Sequence, residues 1–267
     1  MSRSRRYPLV ACLLALVIWC SAGDRARAAD ATCPGTKLNL LSPHVPEARE
    51  ICAGARIAEA FFSACGFPAK QRYDVRVSET VESLSGARLY GQFQPSRKLV
   101  SLVTLAASKA LVASISDADT MRAYKIVPPA ELYRALAAHE IAHAITHQNL
   151  TARPSVALYE YIGAVVQITA LPDGTRKAYL RRFDGQADTA STTFNDVIAF
   201  MEPAVFGASA YQHFNLPDNG CRFLKRLLTE WDVFPQMSIV RGQVQDRNGP
   251  LAAIEHGPRS RSPAAKE

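Results

Sequence analysis

The residues His139-Glu140-Ile141-Ala142-His143 form an H-E-x-x-H motif within a stretch of strongly helical character. Positions i and i+4 lie on one face of a helix, so both imidazoles can reach a single zinc ion. Glu140 lies beside them and can act as a general base towards a water molecule that the metal activates. The motif therefore predicts a catalytic zinc site with His139 and His143 as ligands. The alternative is a packed helix that carries these residues by chance.

A catalytic zinc ion needs a third protein ligand, and the neighbouring sequence limits the choice. The metzincin continuation of the motif requires a glycine and a histidine where this chain has Thr146 and Asn149. His147 lies about 12 Å from His139 along a helix axis, which is too far for one ion. Glu160 lies on the next predicted helix, and an antiparallel pair with a short link would bring it over the histidines. We predict Glu160 as the third ligand; an ordinary exposed glutamate is the alternative.

These residues resemble the gluzincins, the zinc peptidases with an H-E-x-x-H helix and a glutamate on the following helix. The resemblance covers roughly residues 87–171 and takes in the segment Gly91-Gln92-Phe93-Gln94-Pro95. It implies a zincin-like fold, a hairpin before the active helix and an exported branch of gluzincin-like proteins. We expect an extended substrate to pair with Leu99–Val103 as an edge strand.

Two features of the chain depart from the gluzincin pattern. Sixteen residues separate His143 from Glu160, somewhat fewer than in the best-known members. Ala164 stands where thermolysin-like enzymes have an aspartate that supports a zinc-binding histidine, so this support must come from another residue. Gly163 lies about one turn after Glu160, where its lack of a side chain allows the two helices to approach closely.

A zinc peptidase also needs a donor for the oxyanion that develops during the reaction, usually a Tyr or His on a later helix. The segment Ser209-Ala210-Tyr211-Gln212-His213 offers Tyr211 and His213 as candidates. The alternative for both is core packing, as expected of aromatic residues on apolar helices. Tyr159 and Tyr161 flank the predicted metal glutamate and are expected to be packing residues.

The pattern of apolar residues predicts an α+β, mainly helical domain with a small antiparallel sheet or hairpin before the active-site helix. Hairpin strands are expected at residues 88–93 and 98–103, after a strand at Tyr73 to Val77. Helices are expected from Pro46 to Cys65, from Pro129 to about Gln148 and from Val156 to Leu171, with a turn at Pro172-Asp173-Gly174. Residues 194–231 predict further helices, interrupted by a turn at residues 217–220.

Six cysteines become four if Cys12 and Cys20 leave with an amino-terminal signal. Cys52 and Cys65 would lie about 20 Å apart in one straight helix, whereas a disulfide needs Cα atoms within roughly 7 Å. Cys33 and Cys221 are therefore expected to take one of these partners each, in either arrangement. Four unpaired thiols are the alternative.

The formal net charge of +7 arises mainly at the amino terminus. Residues 1–28 carry five basic residues, an apolar run of twelve residues and an Ala-Arg-Ala cleavage site, which together predict a secretory signal. An earlier cleavage after Ala22 and an uncleaved anchor are the alternatives. Residues 29–240 carry 21 basic and 20 acidic residues, so their near-neutral charge argues against nucleic-acid binding.

The sequence thus predicts a signal at 1–28, a metallopeptidase domain at 29–240 and a disordered tail at 241–267. The expected function is that of an exported, periplasmic or extracellular zinc-dependent metallohydrolase that acts on a peptide or protein, with no stable membrane span after signal removal. One alternative is a non-enzymatic binding protein that retains the fold. Another is a structural zinc or disulfide-stabilised domain, which needs a fourth ligand such as His147 or His213.

Overall fold

The computed structural model confirms an α+β, mainly helical fold with a small sheet. The structure describes residues 31–41, 46–83, 86–116, 120–151, 155–190, 193–230, 233–234, 237–240 and 243–246. The predicted signal lies outside these residues. Among the helices that the structure describes, none combines the length and apolar character needed to cross a membrane.

Five strands form the main sheet in the order β1-β2-β3-β5-β4. Their bounds are β1 Ala31–Thr32, β2 Leu38–Leu40, β3 Tyr73–Ser78, β4 Gly91–Gln94 and β5 Leu99–Val103. The predicted hairpin of β4 and β5 is confirmed and is antiparallel. The sheet as a whole is mixed, because β2, β3 and β5 run parallel.

The strand order corrects the expected substrate-binding edge. Leu99–Val103 pairs with β3 on one side and with β4 on the other, so both of its edges are occupied. Within the described residues no strand pairs with the other side of β4, Gly91–Gln94, which is therefore the free edge at this end of the sheet. The sequence predicts that the two strands form a hairpin. Which of them is the outer strand of the sheet depends on which one pairs with β3.

Eight α-helices lie within the described part of the chain. The predicted helices around residues 46–65, 129–148 and 156–171 are confirmed as α1, α3 and α4. The bounds are α1 Ala48–Ala64, α2 Leu105–Ser114, α3 Pro129–Asn149, α4 Val156–Thr169, α5 Asp173–Leu180, α6 Asp196–Met201, α7 Pro203–Phe214 and α8 Cys221–Thr229. A 3-10 helix at Thr120–Ile126 precedes α3.

The turn predicted at residues 172–174 is wrong, because α5 begins there. Pro172 is the N-cap residue, and the Asp173 carboxylate forms ion pairs with Arg176 and Lys177 one turn on. A proline before the first turn and an acidic residue within it both favour helix initiation. The same residues that resemble a turn therefore start a helix.

Helix α3 lies in the middle of the molecule. The adjacent residues Ala137, Ala138, Ile141 and Ala142 are fully buried, so the helix is covered on most sides rather than on one stripe. Helix α1 approaches it closely at Gly54, where an added Cβ would lie 2.7 Å from the backbone oxygen of Arg134. Helix α4 packs along α3 from another side.

Two disulfides tie α1 to distant parts of the chain. Cys33 pairs with Cys52, and Cys65 pairs with Cys221. This confirms that Cys52 and Cys65 do not pair with each other, and it selects one of the two arrangements left open by the sequence. The second bond joins the carboxyl end of α1 to the first residue of α8.

A second sheet near the carboxyl terminus consists of β6 Met237–Val240 and β7 Gln243–Asp246. The domain boundary predicted at residue 240 falls between these two antiparallel strands. The remainder of the predicted tail, residues 247–267, lies outside the described residues.

Candidate metal centre

The structure brings together the three predicted ligands, His139, His143 and Glu160. Their ligand atoms all lie within 4.8 Å of one another. Nε2 of His139 is 3.4 Å from one carboxylate oxygen of Glu160, and Nε2 of His143 is 3.5 Å from the other. Two imidazole nitrogens and a carboxylate facing one point make a donor set suited to zinc.

Helix geometry explains why these side chains meet. His139 and His143 are four residues apart on α3, so their rings lie one above the other with centroids 4.5 Å apart. The link between α3 and α4 is short, and α4 returns alongside α3. Ser155 caps α4 by accepting a hydrogen bond from the backbone N–H of Leu158, which fixes where the helix begins. Glu160 consequently lies opposite both histidines.

Gly163 allows the imidazoles to lie against α4. A Cβ at this position would lie 2.8 Å from Cε1 of His139 and 2.9 Å from Cε1 of His143. Both distances are shorter than carbon atoms tolerate, so the two rings occupy the space that any other residue would fill. The close approach expected at Gly163 is therefore an approach of the two imidazoles to the helix backbone.

Replacing Gly163 by alanine is expected to lower zinc affinity by about 10–100-fold, the range seen when support around a ligand is lost. Both imidazoles would have to move to make room for the methyl group. Zinc affinity can be measured by competition with a chromogenic chelator. Gly174→Ala is the matched control, because nothing lies within 4 Å of its Cβ position. Equal zinc affinity in both variants would contradict the assignment.

The charges at the site are coupled. Burial alone would raise the pKa of Glu160, but hydrogen bonds with His139 and His143 outweigh it and hold this pKa well below the usual range. Burial alone would lower the pKa of His139, but contact with Glu160 raises it above its ordinary value. A carboxylate that stays ionised beside two imidazoles provides the negative charge that a cation site requires.

Glu140 lies against the free edge of the sheet. An added Cβ at Gly91 would lie 2.6 Å from Cγ of Glu140, so only glycine leaves room for this side chain in its present position. Burial raises the pKa of Glu140, whereas the neighbouring histidines and a backbone hydrogen bond from Phe93 lower it, and the net shift is upward. The strand edge therefore positions the predicted base.

The backbone of β4 alternates between its partner strand and the free edge. The N–H of Val103 donates to the carbonyl of Tyr90 at 3.0 Å. Hydrogen-bonded and non-hydrogen-bonded pairs alternate along an antiparallel ladder. The neighbouring pairs Gly91–Leu102 and Phe93–Val100 are therefore the ones whose backbone groups on β4 face outward.

A cavity of about 580 Å³ contains the cluster. Residues 88–93 form one wall, and the cavity is lined by His139, Glu140, His143 and Glu160. Most of the remaining lining is apolar or aromatic, including Met121, Tyr124, Leu136, Ile168, Tyr179 and Phe206. Concave sites with a few convergent polar groups on an apolar lining are typical of small-molecule and substrate sites.

Ala164 has no polar side chain that could hydrogen-bond to His139 or His143. Nδ1 of His139 and Nδ1 of His143 are buried and make no hydrogen bond within the described part of the chain. The amide of Gln167 lies close enough to His139 to raise the pKa of its imidazole. Gln167 lies seven residues after Glu160 and on the same face of α4. This spacing is visible in the sequence, so Gln167 could have been predicted as a supporting residue.

The structure does not bring Tyr211 and His213 to this cavity. Neither residue is among those that line it. His213 is buried in an aromatic cluster, where its Nδ1 lies 2.7 Å from the hydroxyl of Tyr161 and its ring contacts Phe194 and Phe223. The apolar pattern of α7 reflects this packing. Tyr159, expected to be a packing residue, lines the cavity and lies near His143.

His213 provides an expected dependence of stability on pH. Burial lowers its pKa, so the unfolded chain binds the proton more readily than the folded protein does. Its contribution to the free energy of unfolding is therefore lost as the pH falls through the unfolded pKa of about 6.5. Nδ2 of Asn219 donates to Nε2 of His213 at a distance of 3.2 Å. Protonation of Nε2 would break this hydrogen bond.

We expect the metal-free wild type to lose more thermal stability between pH 7.5 and pH 5.5 than the His213→Gln variant. The other histidines titrate in both proteins, so the difference between them isolates His213. Thermal unfolding followed by circular dichroism measures it. Identical pH profiles would show that His213 does not contribute.

The fold and the site together define an α+β protein in which two neighbouring helices hold a His–His–Glu cluster in one cavity. One family model, described as a family of unknown function (DUF6639), matches residues 40–236. The match covers most of the chain, so the protein belongs to this family. No curated protein and no solved structure matches the chain.

Proposed function

We propose that the protein is an exported zinc-dependent metallohydrolase of the gluzincin type, and that its substrates are peptides or proteins. The observation that carries this proposal is the convergence of His139, His143 and Glu160 beside Glu140, in a cavity bordered by a free strand edge. The four side chains are those that the H-E-x-x-H motif and the following helix offer for this chemistry.

The residues fit a zinc ion in chemistry and in arrangement. Nitrogen and carboxylate donors are typical zinc ligands, and three protein ligands leave a coordination position open for catalysis. The space beside Gly163 accommodates both imidazoles. When bound, zinc would lower the pKa of a water molecule and polarise a substrate carbonyl.

Glu140 has the position of a general base. It lies between the strand edge and the histidines and lines the same cavity as the proposed metal ligands. As water oxygen adds to the peptide carbonyl carbon, Glu140 would accept the proton that this water loses. It would then deliver that proton to the leaving nitrogen as the C–N bond breaks, which yields a carboxylic acid and an amine.

The free edge of β4 supports an extended polypeptide as the substrate. The outward-facing N–H and carbonyl of Gly91 and the carbonyl of Phe93 can pair with a peptide by strand addition. Phe93 also directs its N–H to Glu140, so a peptide on this edge would lie directly over the base. The proposed binding edge is thus β4 instead of β5.

Export is supported by the predicted signal and by the cysteine pairs. Disulfides persist in oxidising compartments, which include the bacterial periplasm and the extracellular space. Both Cys33–Cys52 and Cys65–Cys221 are formed. The proposed location is therefore periplasmic or extracellular.

The test uses the chain from residue 29 onward, purified with its disulfides intact. We expect about one zinc per chain by plasma mass spectrometry, and cleavage of a mixed-sequence peptide library that stops with 1,10-phenanthroline and resumes when zinc is restored. Glu160→Ala is expected to weaken zinc binding strongly. Zinc without cleavage would instead support a binding protein, and a wild-type chain without zinc affinity would overturn the proposal.

A further inference from the structure

Tyr124 occupies a fixed position in the wall of the cavity. It lies in the 3-10 helix Thr120–Ile126 and is 7% exposed. Its ring packs against Tyr90 at a centroid distance of 6.0 Å and against Tyr179 at 6.1 Å. These two aromatic neighbours restrict the ring, so the hydroxyl has a defined location.

The hydroxyl of Tyr124 accepts a hydrogen bond from Gln167 Nε2 at 2.9 Å. A phenol can accept and donate at the same time. The bond from Gln167 uses the oxygen as an acceptor, and within the described residues this O–H makes no hydrogen bond as a donor. The O–H is therefore available to donate to a molecule bound in the cavity that Tyr124 lines.

Tyr124 and the proposed metal ligands line the same cavity. Gln167 connects Tyr124 to the surroundings of His139, whose pKa it raises. Burial raises the pKa of Tyr124, the bond from Gln167 lowers it and the charge of Glu160 raises it, which together give a value of about 12. The phenol therefore keeps its proton at neutral pH and acts as a hydrogen-bond donor.

We infer that Tyr124 is a further catalytic residue, whose hydroxyl donates a hydrogen bond to the carbonyl oxygen of the scissile peptide as negative charge develops there. Gln167 is its positioning residue, acting through the bond from Nε2. The inference rests on the proposed peptidase function. No proton is transferred from Tyr124; the hydrogen bond strengthens as the oxygen becomes anionic.

The other tyrosine near the metal ligands is less suited to this role. The hydroxyl of Tyr159 lies 3.3 Å from Nδ1 of His147, an exposed residue outside the cavity lining. Its polar end is therefore held beside His147. Tyr124 comes from a segment before the active helix, where the sequence alone offered no signal for a catalytic group.

The closing experiment compares Tyr124→Phe with wild type and with Tyr133→Phe. Tyr133 is a buried tyrosine outside the cavity lining, and its hydroxyl donates to the carbonyl of Val103. Removing one oxyanion donor typically lowers kcat by about 10²–10³-fold, so we expect a loss in this range for Tyr124→Phe. KM is expected to change by less than about threefold, because the bond forms in the transition state. Zinc content should be unchanged.

Two further measurements make the test specific. A phosphinic peptide, which presents a tetrahedral anion, is expected to bind Tyr124→Phe about 10²-fold more weakly by calorimetry. At saturating zinc, Gln167→Leu is expected to lower kcat about tenfold in the wild-type background and clearly less in the Tyr124→Phe background, where only its effect on His139 remains. This non-additivity would not arise from general destabilisation.

The outcomes separate the two proposals. If wild type cleaves peptides and Tyr124→Phe keeps kcat within threefold, the role of Tyr124 is refuted and the peptidase proposal stands. If wild type binds zinc but cleaves nothing, the peptidase proposal fails and the role of Tyr124 fails with it. Poor folding of Tyr124→Phe would appear as a lowered melting temperature. The role of Tyr124 would then be tested with Gln167→Leu, for which a lowered kcat with an unchanged KM supports the role and an unchanged kcat refutes it.

Discussion

Replacing Glu140 by glutamine is expected to lower kcat by about 10³–10⁴-fold while zinc content stays the same, since a positioned general base contributes up to this amount. Glutamine has nearly the same shape, so it can occupy the space beside Gly91 and accept the backbone hydrogen bond from Phe93. It cannot take up a proton. Steady-state cleavage of a fluorogenic peptide, with metal analysis of the same sample, measures the effect.

Glu131→Gln is the matched control for this substitution. Glu131 lies in the first turn of the same helix and accepts a hydrogen bond from Thr175, away from the cavity lining. We expect this variant to keep wild-type activity. A Glu140→Gln protein that cleaves peptides at more than a tenth of the wild-type rate would exclude Glu140 as the base.

Removing the Cys65–Cys221 disulfide is expected to give the largest loss of stability. The bond closes a loop of 156 residues, for which the chain-entropy relation gives about 5 kcal/mol. It also holds the start of α8, whose Phe223, Leu224, Leu227 and Leu228 are buried in the core. Urea unfolding of the Cys65→Ala, Cys221→Ala double variant measures the change in the free energy of unfolding.

The Cys33–Cys52 disulfide supplies an internal comparison. It closes a loop of 19 residues, so the same relation gives about 3 kcal/mol for its removal. The two loops do not overlap in sequence, and their effects can be compared directly. A loss for the short loop that equals or exceeds the loss for the long loop would contradict an origin in the unfolded chain.

Local periodicity accounts for the parts of the fold that the sequence predicted correctly. Helices α1, α3 and α4 and the β4–β5 hairpin follow from spacings within one element. The same kind of reasoning placed His139 and His143 on one face and excluded a Cys52–Cys65 bond, because a helix fixes distances along its own axis. The short link between two predicted helices was sufficient to predict that Glu160 lies opposite the two histidines.

Contacts between elements account for the errors and omissions. The free edge belongs to β4 because β5 pairs with β3, which no spacing within the hairpin reveals. The segment Pro172-Asp173-Gly174 predicts a turn, but Asp173 is the first residue of helix α5. His213 lies in an aromatic cluster outside the cavity lining. Tyr124, which lies in a 3-10 helix, is among the residues that line the cavity. Each of these depends on which surfaces meet after folding.

The sequence by itself determined the chemistry available to this protein: two histidines one helical turn apart, a glutamate between them and another on the next helix. These features are local, and helix geometry converts them into positions. The tertiary structure alone decided that Gly163 makes room for both imidazoles, that β4 presents Gly91 and Phe93 to Glu140, and that Gln167 holds Tyr124. Those relations join residues far apart in the chain, and only packing between elements can set them.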